Sequence, residues 1–120
     1  MPTLTAMGKR FHDEVKPEWP WSGQAFEVFM GHLIGGGYVA ISGKGFIAGM
    51  VAGNPLNPAW MTAYELLWFG DATLSRPFRK WAKSQGANEI KWSCRDQNIR
   101  VKRFYQSFSR PVEAVYSELI

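Results

Sequence analysis

Asn98-Ile-Arg-Val-Lys-Arg-Phe104-Tyr105-Gln-Ser-Phe108 is the stretch that decides the fold of this chain. Val101, Phe104, Tyr105 and Phe108 recur at i, i+3, i+4 and i+7, the spacing of a helix face docked on a core. Asn98 is a residue type that opens helices by capping their first turn. A strand-like run, Glu89-Ile-Lys-Trp-Ser93, precedes this helix, and a second, Val112-Glu-Ala-Val-Tyr-Ser-Glu-Leu119, follows it. The C-terminal third therefore reads as β-α-β.

Upstream, Gly70-Asp-Ala-Thr73 turns into a helix from about Leu74 to Gln85, with Leu74, Phe78, Trp81 and Ala82 as its apolar stripe. Pro77 is tolerated in the first turn, and Gly86 ends the helix. Met61-Thr-Ala-Tyr-Glu-Leu-Leu-Trp-Phe69 is a strand apolar on both faces, hence central in its sheet. Within it Glu65 is expected on the same face as Ala63 and Leu67. Strands at Tyr38 to Ser42 and Phe46 to Ala52 flank the tight turn Gly43-Lys-Gly45. Asn54-Pro-Leu-Asn-Pro58 reads as a loop. Two helices open the chain. One spans about Thr5 to Val15, carries Met7, Phe11 and Val15 on one stripe, and stops at Pro17. The other is capped by Ser22, buries Phe26, Phe29, Met30 and Leu33, and ends at Gly35-Gly-Gly37. The order α-α-β-β-β-α-β-α-β places the chain in the α/β (α+β) class. A mixed central sheet is flanked by helices, with a right-handed crossover between Met61 and Ser93.

Composition sets the outer bounds. A chain of 120 residues with 46% apolar residues and six tryptophans is one domain with enough material for a core. The single cysteine, Cys94, reads as an inert buried thiol at a strand end. Without an internal disulfide the expected setting is a reducing cytoplasm. No long apolar run and no signal-peptide pattern appear, so no membrane role is expected. A net charge of +4 points to an anionic partner or to a solvated basic face. Arg95, Arg100, Lys102 and Arg103 lack interleaved aromatics, which argues against nucleic acid. His12 and His32 sit on separate helices without ligand spacing to Cys94, so no metal site is expected. Trp19 and Trp21, on either side of Pro20, line a groove or an interface, or pack in the ordinary way.

The element order resembles the GCN5-related N-acetyltransferase (GNAT) superfamily, above all its small bacteriophage-encoded members. Three segments carry the resemblance: Tyr64-Glu65-Leu-Leu-Trp68, Lys80-Trp-Ala-Lys-Ser-Gln-Gly86-Ala87, and Phe104-Tyr105 ahead of the last strand. The last follows the family pattern N-x-x-x-x-x-[FL]-Y-x-x-x-G-F, with Ser107-Phe108-Ser109 in place of its glycine-aromatic step. The resemblance implies an enzyme that moves an acetyl group from acetyl-CoA to an amine acceptor, in the host cytoplasm if phage-encoded. It implies Tyr105 as the acid that protonates the departing thiolate, and it puts Glu65 beside the acetyl group as a base. Backbone N–H groups of Leu67, Trp68 and Phe69 would polarise the thioester, and Asn98 would contact the pantetheine arm. By spacing alone, Tyr105 reads equally as a core aromatic and Glu65 as a structurally paired carboxylate.

Two departures stand out. No strand precedes the first helix, so the N-terminal strand is reduced or absent, and the bared edge points to a homodimer. The family's diphosphate loop, [QR]-x-x-G-x-[GA], is replaced by Gly70-Asp71-Ala72-Thr73-Leu-Ser75. Asp71 there either repels phosphate or caps the following helix, using N–H groups that the family gives to coenzyme A. This degenerate loop keeps a second function open: a catalytically inactive GNAT-fold phage protein with a structural or interaction role.

Overall fold

The computed structural model describes residues 2–94, 99–112 and 115–120. Helix α1 (Pro2–Val15) ends where Lys16 turns to a left-handed φ of 52°, and Pro17 blocks any continuation. In α2 (Gly23–Gly36) the Ser22 hydroxyl accepts the Ala25 N–H at 3.2 Å, the cap expected of it. Strands β1 (Tyr38–Ile41), β2 (Phe46–Asn54) and β3 (Asn57–Phe69) form an antiparallel meander. Helix α3 (Ser75–Ser84) then crosses over to β4 (Glu89–Lys91), which pairs parallel to β3. Helix α4 (Ile99–Gln106) follows. The sheet order is β1-β2-β3-β4, so β3 is interior as its two apolar faces require.

Three boundaries differ from the sequence reading. Asn54 to Pro58 is not a loop: β2 and β3 run on until Asn54 pairs with Asn57, leaving only Pro55 and Leu56 between them. The Asn54 side chain accepts the Leu56 N–H at 2.8 Å, so one residue supplies the turn's hydrogen bond and the strands extend. At the other end, β4 stops at Lys91. The expected final strand is not formed by Val112 or by residues 115–120. Val115 and Tyr116 are both 92% exposed, so no face of that segment docks, and a three-residue β4 offers little edge to receive it.

The sheet separates two cores. Leu4, Met7, Met30, Leu33, Phe46, Ala48 and Phe69 pack under α1 and α2. Ile47, Ala63, Leu74, Phe78 and Ala82 pack under α3. Phe29, expected inside, is 42% exposed, because the buried stripe of α2 centres on Met30 and Leu33.

One irregularity positions the candidate site. Ala48 opposes Leu67 but Gly49 opposes Glu65, so Leu66 is an extra residue, a β-bulge. The bulge shifts the alternation of β3. Ala63, Glu65 and Trp68 oppose Val51, Gly49 and Ile47 and share the α3 face. Leu67 opposes Ala48 and faces α1 and α2. The expectation that Glu65 shares a face with Leu67 is therefore corrected.

Gly49 makes the bulge possible, since a Cβ there would lie 2.4 Å from the Tyr64 carbonyl oxygen and 2.6 Å from the Phe78 ring. Gly49→Ala should cost roughly 1–3 kcal/mol by overpacking, read as a lowered urea midpoint. An unchanged midpoint would mean that β2 and Phe78 yield freely at this point.

Candidate active site

β4 pairs with β3 only at Thr62↔Glu89, Ala63↔Ile90 and Tyr64↔Lys91. From Glu65 to Phe69, β3 keeps β2 on one side and has no strand on the other among the described residues. Side chains fill the divergence. The Ser93 hydroxyl donates to the Glu65 backbone carbonyl at 3.3 Å, and the Ser93 N–H approaches Glu65 Oε1 at 3.4 Å. From α4, the Tyr105 hydroxyl lies 2.7 Å from Glu65 Oε1 and 2.9 Å from the Ser93 carbonyl oxygen. One phenolic proton serves one acceptor at a time. When Glu65 is ionised, the proton goes to the carboxylate. When Glu65 is protonated, its O–H can donate to the Tyr105 oxygen while the phenol turns to Ser93.

Glu65 is 4% exposed and Tyr105 8%. Burial pushes the Glu65 carboxyl up to about 8, against the opposing hydrogen bonds from Tyr105 and Ser93. Burial, and then the charge of Glu65, raise the Tyr105 phenol above its ordinary range. Around the pair stand Trp68 and Trp92, with ring centroids 5.4 Å apart and each 5.8 Å from Tyr105. The Arg79 guanidinium covers this cluster, 4.3 Å from the Phe108 centroid and 5.2 Å from Trp92.

The loop after β3 is equally occupied. Gly70 has φ of 82°, and a Cβ on it would lie 2.2 Å from the Lys44 carbonyl oxygen. A Cβ on Gly45 would lie 1.7 Å from the Phe69 carbonyl oxygen, so the β1–β2 turn presses directly on this loop. Asp71 accepts from the Thr73 hydroxyl at 2.6 Å, the Ser42 hydroxyl at 2.7 Å and the Thr73 N–H at 3.0 Å. These bonds, the Thr73 hydroxyl first, hold the Asp71 carboxyl below its usual range. The Leu74 N–H bonds to the Asp71 carbonyl at 3.3 Å, and the Ser75 N–H to those of Ala72 and Thr73. Asp71 thus caps the turn Ala72–Leu74, and the Thr73, Leu74 and Ser75 N–H groups are satisfied inside it. These N–H groups are therefore taken up within the turn rather than free for a coenzyme A diphosphate.

Of the residues expected in the site, Glu65 and Tyr105 are brought together, with Trp68 against them. Leu67 and Phe69 belong to the opposite core, and Gly70 to Thr73 form the capped turn. Asn98 lies outside the described residues. Ser93 and Trp92 were missed: both were legible as a strand end, but only the divergence of β3 and β4 gives them their contacts. Cys94, expected buried, is exposed, because β4 ends three residues before it.

The raised carboxyl has a consequence for stability. A group whose pKa rises from 4.5 to about 8 on folding stabilises fully below 4.5 and loses that contribution as pH passes through 8. Relative to Glu65→Gln, the wild type should lose on the order of 4 kcal/mol between pH 4.5 and 9. Urea unfolding of both proteins at the two ends of that range measures it. Parallel curves would show that the fold tolerates the ionised carboxylate.

No protein family's sequence profile and no curated protein matches this chain. Solved structures do. A provisionally assigned acetyl transferase from Pyrococcus furiosus superposes with a TM-score of 0.71 at 16% identity, covering 99% of this chain and 93% of that one. An aminoglycoside acetyltransferase from an uncultured soil metagenomic sample gives 0.67 at 14% identity, covering 98% and 88%. A Trypanosoma brucei acetyltransferase gives 0.63 at 10% identity, covering 100% and 94%. With four helices around a four-stranded mixed sheet among the described residues, the chain shares the fold of these solved acetyltransferases.

Proposed function

We propose that this chain transfers an acetyl group from acetyl-CoA to an amine acceptor. The observation that carries the reading is the buried contact of 2.7 Å between the Tyr105 hydroxyl and Glu65 Oε1 where β3 and β4 diverge. Bound acetyl-CoA would supply the acetyl group as a thioester, whose carbon–sulfur bond breaks as the carbon–nitrogen bond forms. The chain's own part is proton management. One proton leaves the amine for solvent, and one goes to the sulfur.

Tyr105 faces that sulfur as donor in this reading, but a phenol with a raised pKa is a weak acid. Glu65 resolves the difficulty. Burial keeps it protonated at neutral pH, so it acts as a donor behind the tyrosine rather than as the base that the resemblance implies. As the phenolic proton leaves, the carboxyl proton replaces it. The proton given up overall is then the carboxyl's, from a group whose pKa burial raises toward the range where proton transfer to a thiolate is favoured. Solvent recharges Glu65 afterwards. The backbone from Glu65 to Phe69, bare on its β4 side, is the segment whose N–H groups would meet the acyl oxygen.

A second reading has its own observation. The internally satisfied turn at Asp71 favours a protein that keeps the fold without the cofactor and serves as an interaction or structural component.

Two variants separate these readings. Tyr105→Phe should keep its affinity for acetyl-CoA in calorimetry while thiol release falls roughly 10²-fold or more. Equal turnover removes Tyr105 from the chemistry. Asp71→Asn, which deletes the negative charge in the loop, should tighten acetyl-CoA binding by about tenfold. No heat from either the wild type or Asp71→Asn would remove the acetyl-transfer reading.

A further inference from the structure

The charge of this chain is divided unevenly along it. Residues 75–112 hold ten lysines and arginines against two carboxylates, Glu89 and Asp96, while the rest of the chain holds four against eight. A net +8 therefore stands beside a net −4, a polarity that the total of +4 conceals.

The helices gather this charge on their outer sides. Neither α3 nor α4 contains an acidic residue. In α3, Arg76, Lys80 and Lys83 recur at i, i+4 and i+7 and are exposed, while Phe78 and Ala82 are buried on the opposite side. The stripe from Arg76 to Lys83 rises about 10 Å along the helix axis. In α4, Arg100 and Arg103 are exposed and Tyr105 is buried. Arg79 joins the two helices, since its guanidinium lies 4.3 Å from the centroid of Phe108, just past the end of α4. None of the five exposed cations has an ion pair among the described residues. Like charges held together in this way repel one another and attract a polyanion.

What the face lacks decides which polyanion fits. A protein partner draws most of its affinity from buried aromatic and aliphatic anchors, and α3 exposes no large apolar side chain. Phe104 and Phe108 pack against Trp68 and Trp92. A stacked single strand needs aromatic platforms set among the cations. A duplex is held through its phosphates, about one charge per 1.7 Å of its axis, and needs no such platforms. Coenzyme A carries its phosphates at one end of a small molecule and would leave most of these cations unmatched.

We propose that the outer face of α3 and α4 binds the phosphate backbone of a nucleic-acid duplex. This function does not rest on acetyl transfer and is measured without acetyl-CoA.

Fluorescence anisotropy with labelled DNA and RNA duplexes of one sequence, about 20 base pairs long, tests it. Binding should weaken with salt at a logarithmic slope of roughly −4, as expected when about five phosphates are neutralised. The double variants Lys80→Glu/Lys83→Glu and Arg100→Glu/Arg103→Glu should each weaken binding about tenfold or more and flatten that slope by about 2. Lys9→Glu/Lys16→Glu changes the net charge equally on α1 and the residue after it, and should leave affinity within about twofold. Equal affinity for the two duplexes supports recognition of phosphates alone, and a preference for one supports the inference and names the nucleic acid. Absence of binding to both duplexes at tens of micromolar protein in low salt overturns it. An equal loss in the Lys9/Lys16 variant also overturns it, because attraction would then follow total charge rather than this face. Poly-glutamate bound more tightly than either duplex reassigns the face to an acidic polypeptide and overturns it as well.

Discussion

Beyond Tyr64, β3 keeps β2 on one side and loses β4 on the other. Backbone polar groups inside a protein need partners, so a strand bared in this way must be answered by something else. Here the answer comes from side chains. The Ser93 hydroxyl takes over the Glu65 carbonyl, and Tyr105 reaches in from α4 to close the gap. The bulge at Leu66 sets which side chains meet in that gap. It sends Glu65 and Trp68 to the α3 face and Leu67 to the other. Without it, the strand would present a leucine where Trp68 now stacks on Tyr105. The packing on both faces of β3 and the contact of Glu65 with Tyr105 follow from one extra residue in one strand.

Three carboxylates show how environment rather than partner chemistry decides ionisation. Asp71 is held by hydroxyl and N–H donors from Thr73 and Ser42. Glu89 accepts from the Trp60 indole at 3.0 Å and the Thr62 hydroxyl at 2.9 Å. Both lie near solvent, and both are shifted downward. Glu65 has donors of the same neutral kind and is shifted upward, because burial removes the water that would solvate its charge. Neutral donors offset part of that loss and cannot cancel it.

Much of the fold is legible in the sequence because its helices announce themselves. The 3.6-residue period of α3 and α4, the Ser22 cap and the Pro17 stop all act locally. The bulge is not legible. Glu65-Leu-Leu-Trp-Phe69 is apolar on both faces but for its glutamate, so an extra residue leaves no break in the alternation to notice. The turn at Asp71 was half legible. Its capping position is local, but the hydroxyl of Ser42 arrives from 29 residues away and could not be read from neighbouring letters. The pairing of Tyr105 with Glu65 spans 40 residues. The resemblance placed both near one centre, and their contact depends on where β4 ends. The last strand misled because Val112-Glu-Ala-Val-Tyr alternates well, and alternation cannot report whether an edge exists to receive it.

The contact between the β1–β2 turn and the loop after β3 ties two distant insertion sites together. Gly45 and Gly70 each sit where a single methyl group would strike the other's backbone neighbourhood. Lengthening the Gly70 loop to build an anion cradle therefore requires the hairpin to retreat, by a shorter turn or a shifted register. Loop grafting at either site alone meets a steric wall. A change of length in one loop therefore needs a matching change in the other.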